Sequence, residues 1–378
     1  MNRNTNLFLN RIIRTVIAIL VCSSTLSGCQ NDDDSYQPLT ADADLQTAKD
    51  EAIRNIVSKL NNKVEAGLYG VAKLTFRDTI ILHLAYGMRN RAANESMQTT
   101  TGFDIGSLTK AITAATILKL EEQGELNLSD TVGQYVSGIS SNLSTATIEH
   151  LLDHRSGLPE YLGDDYELLT KQGAISRLNS YTLSFQPGSQ EAYSNPGYSL
   201  LGIIVEEATG QSFEQVMRTL VLEPAGTTSI GYRLPNWQLD DLAVGYVNNT
   251  AVGTPLDLDW LQDGPSWTLR GNGGLLSTTE DIEKWFNAVF KGDVLGNAAL
   301  EKFSERFAGE GPYGLRSGEA GGDDATGFNA QHENWSDIGV SFTLFTSRSS
   351  FPAEEVWDAI ANDVTRLAEI AFRQPNGN

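Results

Sequence analysis

Strand-type patterning is confined to the two ends of this chain, and that restricts its possible folds more than any other feature. On the N-terminal side, "LYGVAKLTF" (68–76) and "TIILHLAYG" (79–87) are short β-branched and aromatic runs joined by a turn near Arg77-Asp78. On the C-terminal side, "VSFTLFTS" (340–347) reads the same way. Between about residue 123 and residue 270, helical patterns and polar loops predominate. Three further helices frame the strands. The first carries a stripe through Leu45, Ala52, Ile56, Leu60 and Val64, and the last, about 353–372, shows Val356, Ile360, Val364, Leu367 and Ala371 on one face. "STTEDIEKWFNAVF" starts the other, with Ser277, Thr278 or Thr279 as its cap. The expected fold is α/β (α+β): an antiparallel sheet built from both chain ends, flanked by helices, with a mostly helical insertion lobe at about 107–270.

The first 44 residues read as targeting rather than fold. Arg3, Arg11 and Arg14 precede the apolar run "TVIAILV", which is followed by "LSGC" ending at Cys29. That run is too short to cross a bilayer and has the layout of a secretory signal over 1–28, with a one-helix membrane anchor as the alternative. "LSGC" resembles the bacterial lipobox, in which cleavage precedes a cysteine that is then lipidated. The chain has 2 cysteines, Cys22 inside the signal and Cys29, so the mature protein could form no internal disulfide despite export. The acidic, polar stretch to residue 44 reads as a tether, leaving 45–373 as the folded domain. The expected location is the bacterial cell envelope, lipid-anchored at the outer membrane, in the periplasm or on the surface. A net charge of −21 disfavours nucleic acid as a partner, because phosphate backbones need a basic face.

The chemistry centres on "GFDIGSLTKAITAATILKLEEQGEL" (102–126), where Ser107 and Lys110 open an apolar helix three residues apart. Residues i and i+3 share a helix face, so Lys110 projects towards Ser107, and the helix start aims backbone N–H groups at a developing oxyanion. Spacing alone does not decide between a nucleophile with its base and an N-cap serine with a solvated lysine, since about one S-x-x-K is expected by chance. The chain has no G-x-S-x-G elbow, and "HLLDH" (His150 to His154) lacks the glutamate of a zinc-protease helix. Those histidines read as structural or loop-anchoring, and no metal or organic cofactor is implied.

"SFQPGSQEAYSNPGYSLLGIIVEEATGQSFEQVM" (184–217) resembles the second motif region of class C β-lactamases and related serine hydrolases, with Tyr193, Ser194 and Asn195 as its Y-x-N. A second Y-x-N at Tyr246 lacks the flanks. "TIEHLLDHRSGLPEY" (147–161) and "GNGGLLSTTEDIEKW" (271–285) also resemble stretches of that family, and the motifs come in family order over roughly residues 48–350. The resemblance implies Ser107 as the acylated nucleophile and Lys110 as its activating partner. It implies Tyr193 as general base and as acid towards the leaving group. Asn195 would bind the acyl-side amide of the substrate and help orient Lys110. The glycines of "GNGG" read as a tight turn near the site.

One motif departs from the pattern. Where the family carries K-T-G or H-x-G on a strand beside the serine, the best match is "RSGEAGGDDATGFNAQ", which places Glu319, Ala320 and Gly321 there. The N–H of Gly322 would complete the oxyanion hole with that of Ser107, but the side chain is an acid instead of a cation. Glu319 reads either as a pocket residue or as a solvated loop acid. Three functions follow: a hydrolase of cell-wall-type D-amino-acid peptides or β-lactams, an esterase acting on neutral esters with the same serine, or a non-catalytic envelope binding protein. The partner in each is a small molecule or peptide.

Overall fold

In the computed structural model, which describes residues 44–374 except 259, 260, 262, 263 and 324, the first hairpin turns through Arg77 (φ 51°) and Asp78 (φ 55°). Two successive positive φ values make the tight turn whose twist matches the flanking strands. It joins β1 (Gly70–Phe76) to β2 (Thr79–Tyr86), as the sequence suggests. The other four strands come from the far end: β3 (Gly309–Gly311), β4 (Gly314–Asp323), β5 (Phe328–Trp335) and β6 (Val340–Thr346). All six form one antiparallel sheet in the order β2-β1-β6-β5-β4-β3. The seam between the chain ends is the β1–β6 pair, in register from Gly70 with Thr346 to Thr75 with Ser341.

Helices cover both faces of the sheet. The N-terminal helix α1 (Leu45–Glu65) and the C-terminal helix Ala353–Arg373 pack together, and the latter lies over β1, β5 and β6. Helix Thr279–Phe290 covers the opposite face. Strand alternation sorts the side chains. Phe342 stacks on Trp357 of the C-terminal helix, while its neighbour Thr343 bonds His332, whose ring stacks on Phe286. Thr278 caps helix 279–290, its Oγ1 accepting from Asp281 N at 3.2 Å.

On that second face the cross-strand register aligns His83, Lys73, Thr343, His332 and Glu319 in one polar row. Lys73 pairs with Glu283 at 3.5 Å, and His332 Nδ1 lies 2.9 Å from Thr343 Oγ1. Glu319 is therefore a strand residue, directed to the same face as Gly321 two positions on.

The lobe between the two sheet-forming ends has helix as its main regular structure, with long turns and loops between the helices. Its central element, α2 (Thr109–Glu122), is buried on every side from Thr109 to Leu118, so it shows no amphipathic stripe. The α-helix does not begin at Ser107. A single 3₁₀ turn, Gly106–Leu108, holds the serine ahead of it. The lobe also contains a hairpin of Gly245–Val247 with Thr250–Gly253, where little strand was expected. The signal over 1–28, Cys29 and the tether up to residue 43 lie outside the described residues. Among the described residues, no helix is long and apolar enough to cross a membrane.

Candidate active site

Gly106 takes φ +52°, a conformation that disfavours any side chain, and its amide donates to Asp104 Oδ1 at 2.7 Å. This turn presents Ser107 at the head of α2. Ser107 Oγ lies 3.0 Å from Lys110 Nζ and 3.0 Å from the Tyr193 hydroxyl. The three side chains expected to act together are brought together.

Lys110 is only 4% exposed. Its Nζ donates to Ser107 Oγ and, at 2.7 Å, to the carbonyl of Asn272. Burial pulls its pKa down to about 7, against the opposing pull of Asp165 and Glu319. The carbonyl that holds it comes from the "GNGG" turn, which is pinned from three directions. Tyr232 OH accepts from Gly271 N and donates to Gly273 O, Thr113 Oγ1 donates to Gly271 O, and Asn272 Nδ2 donates to Ser199 Oγ and Thr268 O. Sequence reading placed this turn near the site but did not single out Asn272. Among the described residues, the partner that orients Lys110 is this carbonyl rather than the expected Asn195 side chain. A backbone carbonyl is a partner that no residue type announces.

Tyr193 precedes the helix Asn195–Thr209, which Ser194 caps by accepting from Gly197 N. The "SGLPEY" loop is fastened to this corner: Ser194 Oγ donates to Pro159 O, and Asn195 N donates to Glu160 O. Burial pushes the Tyr193 phenol well above its ordinary pKa. The hydrogen bond from Ser107 opposes that push, and the charges of Glu319, Glu160 and Asp165 reinforce it. Lys110 Nζ sits 5.0 Å from the centroid of the Tyr193 ring. The two histidines of "HLLDH" do separate jobs. His150 Nδ1 accepts from Thr147 N at the start of its own helix, and the His154 ring packs at a tilt against those of Tyr193 and Tyr198. Tyr246, of the unflanked Y-x-N, spends its hydroxyl on the amide of Arg91.

The third wall is β4. A Cβ on Gly321 would come within 2.5 Å of Ser107 N, and one on Gly106 within 2.7 Å of Gly322 N. The two backbones therefore touch where the oxyanion amides were expected, and neither glycine has room for a side chain. Glu319 stands on the same face of β4, and its charge bears on both Lys110 and Tyr193.

A model of the Beta-lactamase family matches residues 53–346, over three quarters of the chain. The chain belongs to the β-lactamase family. It is similar to penicillin-binding protein 4* of Bacillus subtilis (strain 168), with 32% identity over 241 residues covering 59% of this chain and 52% of that protein. It is also similar to the putative penicillin-binding protein PbpX of the same organism, with 26% identity over 309 residues and 77% of each chain covered. The chain thus spans about half the length of the first relative, and it spans 42% of protein flp from Staphylococcus aureus, at 31% identity. Among solved structures, a β-lactamase/D-alanine carboxypeptidase from Pseudomonas syringae superposes with a TM-score of 0.69 at 15% identity, covering 83% of this chain and 99% of that one. The octameric penicillin-binding protein homologue from Pyrococcus abyssi gives 0.64 at 22% identity, covering 84% and 76%. Both share the β-lactamase-family fold.

Within that family frame, sequence reading missed Asn272, Glu160 and Asp165. The first acts through its backbone. The other two are loop acids whose proximity to Tyr193 depends on how the "SGLPEY" segment folds back.

Proposed function

We propose that this chain is a serine hydrolase working through an acyl-enzyme on Ser107. The observation that carries the reading is the double contact of Ser107 Oγ, 3.0 Å from both Lys110 Nζ and Tyr193 OH. With a pKa near 7, Lys110 is readily available as a neutral amine and takes the hydroxyl proton. Oγ then attacks the acyl carbonyl, and the oxyanion faces the amides of Ser107 and Gly322. Tyr193 hands a proton to the leaving group and is resupplied from Lys110. Family resemblance suggests Tyr193 as the base. Here burial and three nearby carboxylates keep the phenol protonated, which moves the base role to Lys110 and leaves Tyr193 the acid role. Water repeats the sequence to release the acid. Asn195, at the first position of its helix beside Tyr193, would bind the acyl-side amide. A purely binding role would leave this buried, partly neutral lysine beside a serine without purpose.

On substrate, Glu319 favours neutral acyl esters. At an effective dielectric near 20, like charges about 4 Å apart cost roughly 4 kcal/mol, and even a quarter of that disfavours a carboxylate-bearing substrate several-fold. The relatives' names support the second reading, cell-wall-type D-amino-acid peptides or β-lactams. The two are separated by kcat/KM for p-nitrophenyl butyrate and for nitrocefin, in the wild type and in Glu319→Lys. The ester is expected to be the better substrate of the wild type, and the substitution is expected to raise the nitrocefin-to-ester ratio about fivefold or more. An unmoved ratio rules Glu319 out as the selector.

We also propose that the mature protein begins at lipidated Cys29 and is held at a membrane, supported by "LSGC" and the acidic stretch after it. Cys29→Ser is expected to shift the protein out of the membrane fraction or leave it unprocessed. Normal processing with unchanged fractionation counts against lipidation.

A further inference from the structure

His154 touches neither Ser107 nor the amides opposite it, yet the Tyr193 segment is built around it. Its carbonyl accepts from Ala192 N at 2.9 Å, and its Nδ1 accepts from Ser194 N at 3.1 Å. The residues before and after Tyr193 are therefore both tied to this one histidine. Between those ties its ring lies 4.6 Å from the Tyr193 ring, tilted by 33°, and 5.1 Å from the Tyr198 ring, tilted by 36°. Tyr198 is itself fixed, its hydroxyl donating to Leu152 O at 3.0 Å. His154 adopts φ +54°, which is uncommon for a residue with a side chain and persists only where its surroundings hold it.

Resting on the acyl-enzyme reading, we propose that His154 is a positioning residue that fixes the Tyr193 hydroxyl against Ser107 Oγ. Two ties set where the Tyr193 Cα sits, and the tilted imidazole packed against the phenol limits its rotation. Together they leave the hydroxyl one direction, towards Oγ. Burial and the nearby Lys110 charge pull the imidazole down to a pKa of about 3, so it remains the neutral acceptor that the Ser194 amide requires across the working pH range. A phenol displaced by about 1 Å loses its alignment, and misplacement of that size costs up to about 10²-fold in rate.

The test compares two substitutions in two backgrounds. His154→Phe keeps a ring but loses the acceptor. His154→Asn keeps an acceptor and tolerates positive φ but loses the ring. Each is expected to slow single-turnover acylation by an activated ester about 10-fold or more, with KM within about twofold. In a Tyr193→Phe background, the same substitutions are expected to add less than about twofold, because the hydroxyl they position is already gone. Equal losses in both backgrounds would mean that His154 merely supports the fold, and the assignment fails. If His154→Phe does not fold, the same comparison is made with His154→Asn alone. The acyl-enzyme reading fails separately, and visibly, if the wild-type protein forms no adduct on Ser107.

Discussion

Ser107→Ala is expected to lower kcat/KM for p-nitrophenyl butyrate by about 10⁴-fold or more, the scale on which serine hydrolases respond to loss of their nucleophile. The reason is local. Ser107 Oγ is the hydroxyl that stands between Lys110 Nζ and Tyr193 OH, 3.0 Å from each. Alanine keeps the 3₁₀ turn and the Gly106 and Gly321 contacts, so the fold is expected to survive and the loss to be chemical. Intact-mass spectrometry of the wild type with a slowly deacylating ester or a fluorophosphonate should show one adduct, mapped by digestion to the peptide containing Ser107. An adduct persisting in Ser107→Ala at the wild-type rate would remove Ser107 from the mechanism.

Lys110→Ala is expected to slow acylation by about 10²-fold or more, as loss of acid-base help does. Lys110→Arg should do no better, because a guanidinium does not give up its proton. The pH profile separates this role from simple packing. A lysine with a pKa of about 7 is mostly ammonium below that pH and cannot accept a proton. Wild-type kcat/KM should therefore rise about tenfold per pH unit below about 7 and level off above it. In Lys110→Ala that limb should vanish along with the rate. If the limb persists unmoved in the variant, another group is the base.

Much of the fold and of the site was legible in the residues, and the rest was hidden for definite physical reasons. β1, β2 and β6 declared themselves because they are β-branched. β5, "FNAQHENW", is buried almost throughout yet polar. Its burial is eased because each of these side chains finds one partner, His332 with Thr343, Gln331 with Glu333, and Asn334 with Asn287, although His332 Nε2, Gln331 Oε1 and Asn334 Oδ1 stay unpaired among the described residues. Such a strand carries no hydropathy signal. β4, "GLRSGEAGGD", is rich in glycine, of which Gly321 must pass close to the Ser107 turn, and glycine reads as loop. It was found only through its match to the third motif. Ser107, Lys110 and Tyr193 were readable through the family resemblance that their motifs and flanks carry, since the S-x-x-K spacing alone did not decide. The Asn272 carbonyl and the two ties of His154 were not, because a backbone acceptor and a stacking distance exist only once the chain has folded.

The seam between β1 and β6 joins segments that leave the ribosome far apart in time. Synthesis delivers Ser107, Lys110 and Tyr193 long before residue 346, but β1 has no neighbour on one edge until β6 emerges. β4 reaches the sheet only through β5 and β6. Within the sheet, the strand that carries the Gly322 amide is thus joined to β1 only through contacts that span nearly the whole domain. A nascent chain carries the nucleophile without its oxyanion wall. Under the proposed acyl-enzyme reading, a chain ending before β4 would carry Ser107 without the Gly322 amide, and it is expected to capture acyl donors poorly.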